Sequence, residues 1–249
     1  MRNALEANFD EILDFYNQSF KVTESYPFKV YITDDIFSLR MDLCNTDDEQ
    51  HMVMAAKQKL NSFNGLLVEP DLIDNIFYIL IKQNSSNDSN IYSKTFSHEY
   101  THVIDYQEFK EKYEISNMRN NEVYENSECF QFYSEVRARF RGSLIFYQLS
   151  DVKNDVLIKD YNDYLIPAYQ QKLNQNTIYP DNYQKMYMLA QFYGQFLAIG
   201  CKTNSLPTLP DYIKNNNAIE LLLAITNNIG DVSIFANYES IIDLYDNSY

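Results

Sequence analysis

Two histidines, His98 and His102, stand four residues apart with an acid between them, in His98-Glu99-Tyr100-Thr101-His102. On a helix that spacing puts both imidazoles on one face, a turn apart, where one metal ion can meet both. Glu99 is rotated by about 100° from His98, the step of one helical residue. It therefore falls beside such an ion rather than on it, within reach of a water molecule there and of a leaving amine. The chain holds 3 His in all. With His this scarce, a chance match of this form is on the order of one in a few hundred. The plain alternative is a surface helix carrying two solvated imidazoles. The remaining histidine, His51, lies in an Ala- and Met-rich stretch without ligand spacing and reads as a helix-surface residue.

The elements around the motif follow from hydrophobic periodicity. Leu5, Phe9, Ile12, Leu13, Tyr16 and Phe20 predict an amphipathic helix over 3–20. Phe28, Val30 and Ile32 alternate with polar or amphipathic residues and predict a strand. A helix is expected over 47–60, a short strand over 65–69 and a stronger strand over 75–83, which is β-branched and aromatic. A polar loop over 84–90 leads to the motif helix, expected to start near Ser93 or Thr95 and run to about Lys112. After a polar interval at 116–121, helices are expected over 124–149, 151–173, 181–202, 218–227 and 233–245. Pro207 and Pro210 mark a loop. Strands first and helices afterwards predict an α+β fold: a small mixed N-terminal lobe with strands packed on the motif helix, residues 1–112, and a mostly α-helical C-terminal lobe, residues 113–249.

Composition narrows the function. Hydrophobic residues are 45% of the 249, enough for a sizeable core. The net charge of -15 would repel phosphate, which argues against nucleic-acid partners and anionic membrane surfaces. Cys44, Cys129 and Cys201 are odd in number and widely spaced, so a reducing compartment is expected, each thiol acting as a small buried apolar group. The first residues lack an apolar signal core and no stretch reaches membrane-spanning length, so the expected location is the cytoplasm. Abundant Asn, Ile, Tyr, Lys and Asp suggest AT-rich coding, as in a low-GC bacterium or its mobile elements.

The pentad, with the strand and helices around it over about 75–140, resembles the zincin superfamily of zinc metallopeptidases. The resemblance implies a bound Zn2+, a metal-bound water activated by Glu99, a peptide or protein substrate, and a substrate-binding strand upstream of the motif helix, for which 75–83 is the candidate. Metzincins carry Gly and a third His shortly after the second His. Asp105 and Glu108 stand at those positions, which excludes that branch. A gluzincin-like arrangement implies a third ligand from a carboxylate on the following helix, and Glu135 is the candidate. Glu128, one heptad earlier, and Asp105, in an i, i+4, i+7 series with the two His, also satisfy a two-His-one-carboxylate rule. Asp105 has an alternative role in accepting the free N–H of a ligand imidazole. Glu135 has the alternative of an ion pair with Arg139 at i+4. The thermolysin-type second motif, Asn-Glu-x-x-Ser-Asp, is absent.

No His follows His102, so the developing oxyanion needs a Tyr hydroxyl or an Arg as its second electrophile; Tyr133 and Tyr187 are the candidates. Two readings stand against the enzyme. One is a catalytically inactive zincin-fold binding protein, disfavoured by the intact Glu99. The other is an acidic regulator of the DNA-mimic type from a bacterial mobile element, disfavoured because the acids are dispersed rather than blocked.

Overall fold

A computed structural model describes residues 4–24, 26–70, 75–83, 90–119, 122–125, 127–174, 182–214 and 219–248. The expected loop over 84–90 lies almost wholly outside the described residues. The chain opens with α1 (Ala4–Phe20) and β1 (Phe28–Thr33), followed by three short helices, α2 (Ile36–Asp42), α3 (Asp47–Ala55) and α4 (Lys57–Leu60). Strands β2 (Gly65–Val68) and β3 (Phe77–Lys82) come next, then the long helix α5 (Asn90–Lys112). A short helix, α6 (Glu122–Glu125), precedes the long α7 (Glu128–Leu149). The chain continues through α8 (Asn154–Asp160), a π-helical turn at Tyr161–Leu165, α9 (Ile166–Asn174) and α10 (Asn182–Thr203). It ends with α11 (Asp211–Lys214), α12 (Ile219–Asn228) and α13 (Tyr238–Ser248). The class is α+β, as expected.

The sheet order is β1-β3-β2, with β1 parallel and β2 antiparallel to β3. β3 is therefore the central strand. Its residues Phe77 to Ile81 are all buried, because both faces are covered. Phe77, Ile79 and Ile81 face the main core, while Tyr78 and Leu80 pack with Ile36 and Val68 on the opposite side. The period of two along the strand thus separates the two clusters.

The helices differ from the sequence expectation in several places, among them that the one expected over 124–149 is α6 and α7, the one expected over 233–245 is α13, and α11 is additional. The helix expected over 47–60 is two helices, α3 and α4, joined through Ala56. Helix α2 was not expected; Asp35 caps it by accepting from Ser38 N–H. The helix expected over 151–173 is broken into α8, the π-turn and α9.

Helices α5 and α7 pack antiparallel, with Phe109 against Phe130 at one end and Gly142 against the Lys94–His98 turn at the other. A Cβ on Gly142 would lie 2.7 Å from the Lys94 carbonyl oxygen, so only glycine permits this approach. One continuous cluster of buried side chains runs from Ile12 to Tyr245, crossing the expected division at Lys112. Among the described residues no helix is long and apolar enough to cross a membrane. The three cysteines are free. Cys129 is buried as expected and Cys44 partly so, but Cys201 is exposed on α10.

Candidate metal centre

Helix α5 supplies His98 and His102 from the face turned toward α7, and α7 supplies Glu135. The Nε2 atoms of His98 and His102 lie 3.6 and 3.4 Å from one oxygen of Glu135. One ligand atom from each of the three residues lies within 4.8 Å of the other two. Bonds of about 2.0–2.1 Å to a tetrahedral zinc place ligand atoms roughly 3.3 Å apart. The two imidazole–carboxylate distances match that edge length. The other Glu135 oxygen is buried without a hydrogen-bond partner. An arrangement of two ring nitrogens and a carboxylate around a common point fits a divalent cation of zinc type. Of the two rival carboxylates, Glu128 lies at a hydroxyl distance of 3.5 Å from Tyr245 and outside this group. Asp105 is spoken for elsewhere. His51 is exposed on α3.

Asp105 belongs to a buried relay behind His102. It pairs with Arg137 at 3.1 Å, both side chains being 0% exposed. As an ionised carboxylate it can only accept, so Ser134 donates its hydroxyl proton to Asp105 at 3.0 Å. Ser134 Oγ must then accept from Nδ1–H of His102, 2.8 Å away. That keeps a proton on Nδ1, so in the neutral ring the Nε2 lone pair faces Glu135. The expected contact from Asp105 to a ligand imidazole thus passes through Ser134, a residue with no distinguishing signal in the sequence. His98 has no such relay; its Nδ1 is buried without a hydrogen-bond partner.

The electrostatics suit a ligand set. Burial pushes His98 down to about 3, against the pull of Glu135, so its ring is neutral. Burial also acts to lower His102, but the bond and field of Glu135, with Glu99 and Asp105, outweigh it and raise the group. Burial would raise Glu135; the two imidazoles and Arg139 outweigh it and hold the carboxyl below its ordinary range. The ion pair with Arg139 exists, but at 3.9 Å it is loose, and it uses the oxygen turned away from the imidazoles.

Glu99 is 7% exposed, and burial raises its carboxyl to about 7. The N–H of Leu67 in β2 donates to it. A Cβ on Gly65 would lie 2.7 Å from Glu99 Oε1, so the glycine lets β2 run directly along the carboxylate. This corrects the expectation for 75–83. The strand beside Glu99 is β2, whose far side is paired with no strand among the described residues, whereas β3 is hydrogen-bonded on both sides.

Of the two oxyanion candidates, Tyr133 is buried away from the site and donates to the Asn228 carbonyl at 3.2 Å, so it is removed. Tyr187 lines a cavity of about 110 Å³ with His102, Tyr106, Tyr124, Glu128 and Glu135. The Glu135 field, then burial, raises its phenol above the ordinary range, so it remains a proton donor. Comparison of the chain with protein-family models, with curated proteins and with solved structures finds no match.

Proposed function

We propose that this chain is a zinc-dependent metallopeptidase of the gluzincin-like kind, hydrolysing peptide bonds in a peptide or protein. The observation that carries the reading is the convergence of His98, His102 and Glu135 on one point, with the Glu99 carboxylate on the adjoining turn. His98 and His102 are the nitrogen ligands and Glu135 the third ligand. The zincin-like layout is supported by a small sheet on α5, an antiparallel edge strand along Glu99, and a ligand carboxylate from the next long helix.

When bound, zinc would supply Lewis acidity, polarising the scissile carbonyl and lowering the pKa of water at the site. Glu99 takes the proton of the water that attacks the carbonyl carbon and passes it to the leaving nitrogen as the C–N bond breaks. The products are a carboxylic acid and an amine. A group titrating at about 7 can both accept and return that proton near neutrality. Tyr187 donates to the oxygen that gains charge. The outer edge of β2, paired with no strand among the described residues, holds an extended peptide by backbone pairing.

The test is cleavage of a mixed peptide library by zinc-loaded protein, read by mass spectrometry. Cleavage should stop with 1,10-phenanthroline and return with zinc. Glu99→Gln should retain one zinc yet lose roughly 10²–10⁴-fold in rate. Cleavage that survives both the chelator and Glu99→Gln, or no cleavage of any peptide, sinks the reading.

A further inference from the structure

Two cations lie at one end of the metal triad: Lys94, and Arg139 with its loose 3.9 Å ion pair to Glu135. Lys94 is one turn before His98 on the same face of α5, and Arg139 is one turn after Glu135 on the same face of α7. The antiparallel packing at Gly142 brings these two ends together. Lys94 feels Arg139: burial, then the guanidinium field, lowers its amine to about 8. Among the described residues Arg139 approaches no acid closer than the 3.9 Å to Glu135, and its Nε is enclosed without a hydrogen-bond partner. Lys94 has no ion pair among the described residues. Its side chain and that of Arg139 are only partly exposed. Two under-compensated cations in a half-buried site are costly. An entering anion offsets that cost.

Strand β2 gives the site a direction. It starts at Gly65 beside Thr95 and Glu99, and leads to Glu69, which lies within the fields of His102 and Tyr106. A peptide added antiparallel, the more stable pairing, runs its C-terminal side toward Gly65 and hence toward Lys94 and Arg139. The opposite end carries the tyrosine-lined cavity with Glu128, which would repel a carboxylate.

We propose that Lys94 and Arg139 form a carboxylate-recognition subsite on the C-terminal side of the scissile bond. The preferred substrates are peptides with an anionic group there, either the free C-terminal carboxylate or an acidic side chain. The inference rests on the peptidase reading for the direction of the substrate. The guanidinium fork suits a bidentate carboxylate, and the Lys94 ammonium adds a point charge.

Binding tests it without turnover. Zinc-loaded Glu99→Gln protein is titrated calorimetrically with three N-acetylated alanine pentapeptides: one with a free C-terminus, one C-amidated, and one C-amidated with a Glu replacing the fourth alanine. The carboxylate-bearing peptides should bind about ten- to a hundred-fold more tightly than the neutral amide. The free-acid and Glu arms show which carboxylate is read. Adding Arg139→Gln should abolish the preference, Lys94→Gln should reduce it, and Arg139→Lys should keep part of it, all with one zinc per chain. Equal binding of the three peptides, or no binding of any, overturns the subsite. Wild-type cleavage of neutral amides would then still uphold the peptidase. Carboxylate-selective binding with no cleavage by wild type would instead sink the peptidase and keep the subsite.

Discussion

The proton on Ser134 decides which nitrogen of His102 keeps a hydrogen, Nδ1, and which is left to meet a metal, Nε2. Because Asp105 is locked by Arg137, the Ser134 hydroxyl has one acceptor to serve and must receive from the imidazole. Removing Arg137 would leave a buried carboxylate unpaired, at a cost of about 3–5 kcal/mol, and would confuse folding with ligation. Ser134→Ala is the cleaner change. It should lower zinc affinity about 10- to 100-fold while one zinc still binds at saturation, measured by competition with a chromophoric chelator. Unchanged affinity would show that the relay does not orient His102. His98, Glu99 and His102 were legible because one helix fixes their mutual angles. Tyr133 falls outside the site although its neighbour Ser134 faces it; one residue along a helix is about 100° of rotation, which turns Tyr133 toward Asn228.

At the scale of elements, the gap between α5 and α7 sets the distance from the imidazoles to Glu135. Gly142 fixes that gap. Alanine is preferred over glycine within a helix by about 1 kcal/mol. Against this, a Cβ at Gly142 would meet a backbone oxygen at 2.7 Å and His98 at 3.1 Å, neither of which can swing away. Overpacking of about 1–3 kcal/mol should win. Gly142→Ala is therefore expected to lower the melting temperature and weaken zinc binding together, by calorimetry and metal titration. A more stable protein with intact zinc affinity would show that the helices can separate at no cost to the site. The strands teach a related lesson. The run Phe77 to Ile81 gave the stronger strand signal because it is buried on both faces, and that same fact makes it central rather than an edge. The four-residue β2 gave a weak signal, yet it is the strand that meets Glu99. The strength of a hydrophobic run measures burial, and an edge strand, covered on fewer sides, has less of it.

Across the whole molecule, one core joins the mixed part to the helical part, so His98 and His102 on α5 and Glu135 on α7 rest on a shared foundation rather than on two lobes. The order of elements predicted the α+β class well; the antiparallel helix pairing and the gathering of Lys94 and Arg139 at one end depend on long-range packing that local periodicity does not encode. The central claim concerns the three ligands, and zinc titration of metal-free protein tests it most directly. His98 is already neutral and Glu135 already ionised, so neither should release a proton. His102, raised above its ordinary 6.5, should release its proton on binding, so affinity rises with pH until that ring is neutral. Titrating the Glu99→Gln protein at about pH 6 in buffers of different ionisation enthalpy should give one zinc per chain and roughly one proton released. Binding should vanish in His98→Ala, fall sharply in Glu135→Gln, and persist in Glu128→Gln. Zinc binding that is absent in the parent protein, or that survives His98→Ala and Glu135→Gln unchanged, would contradict the account.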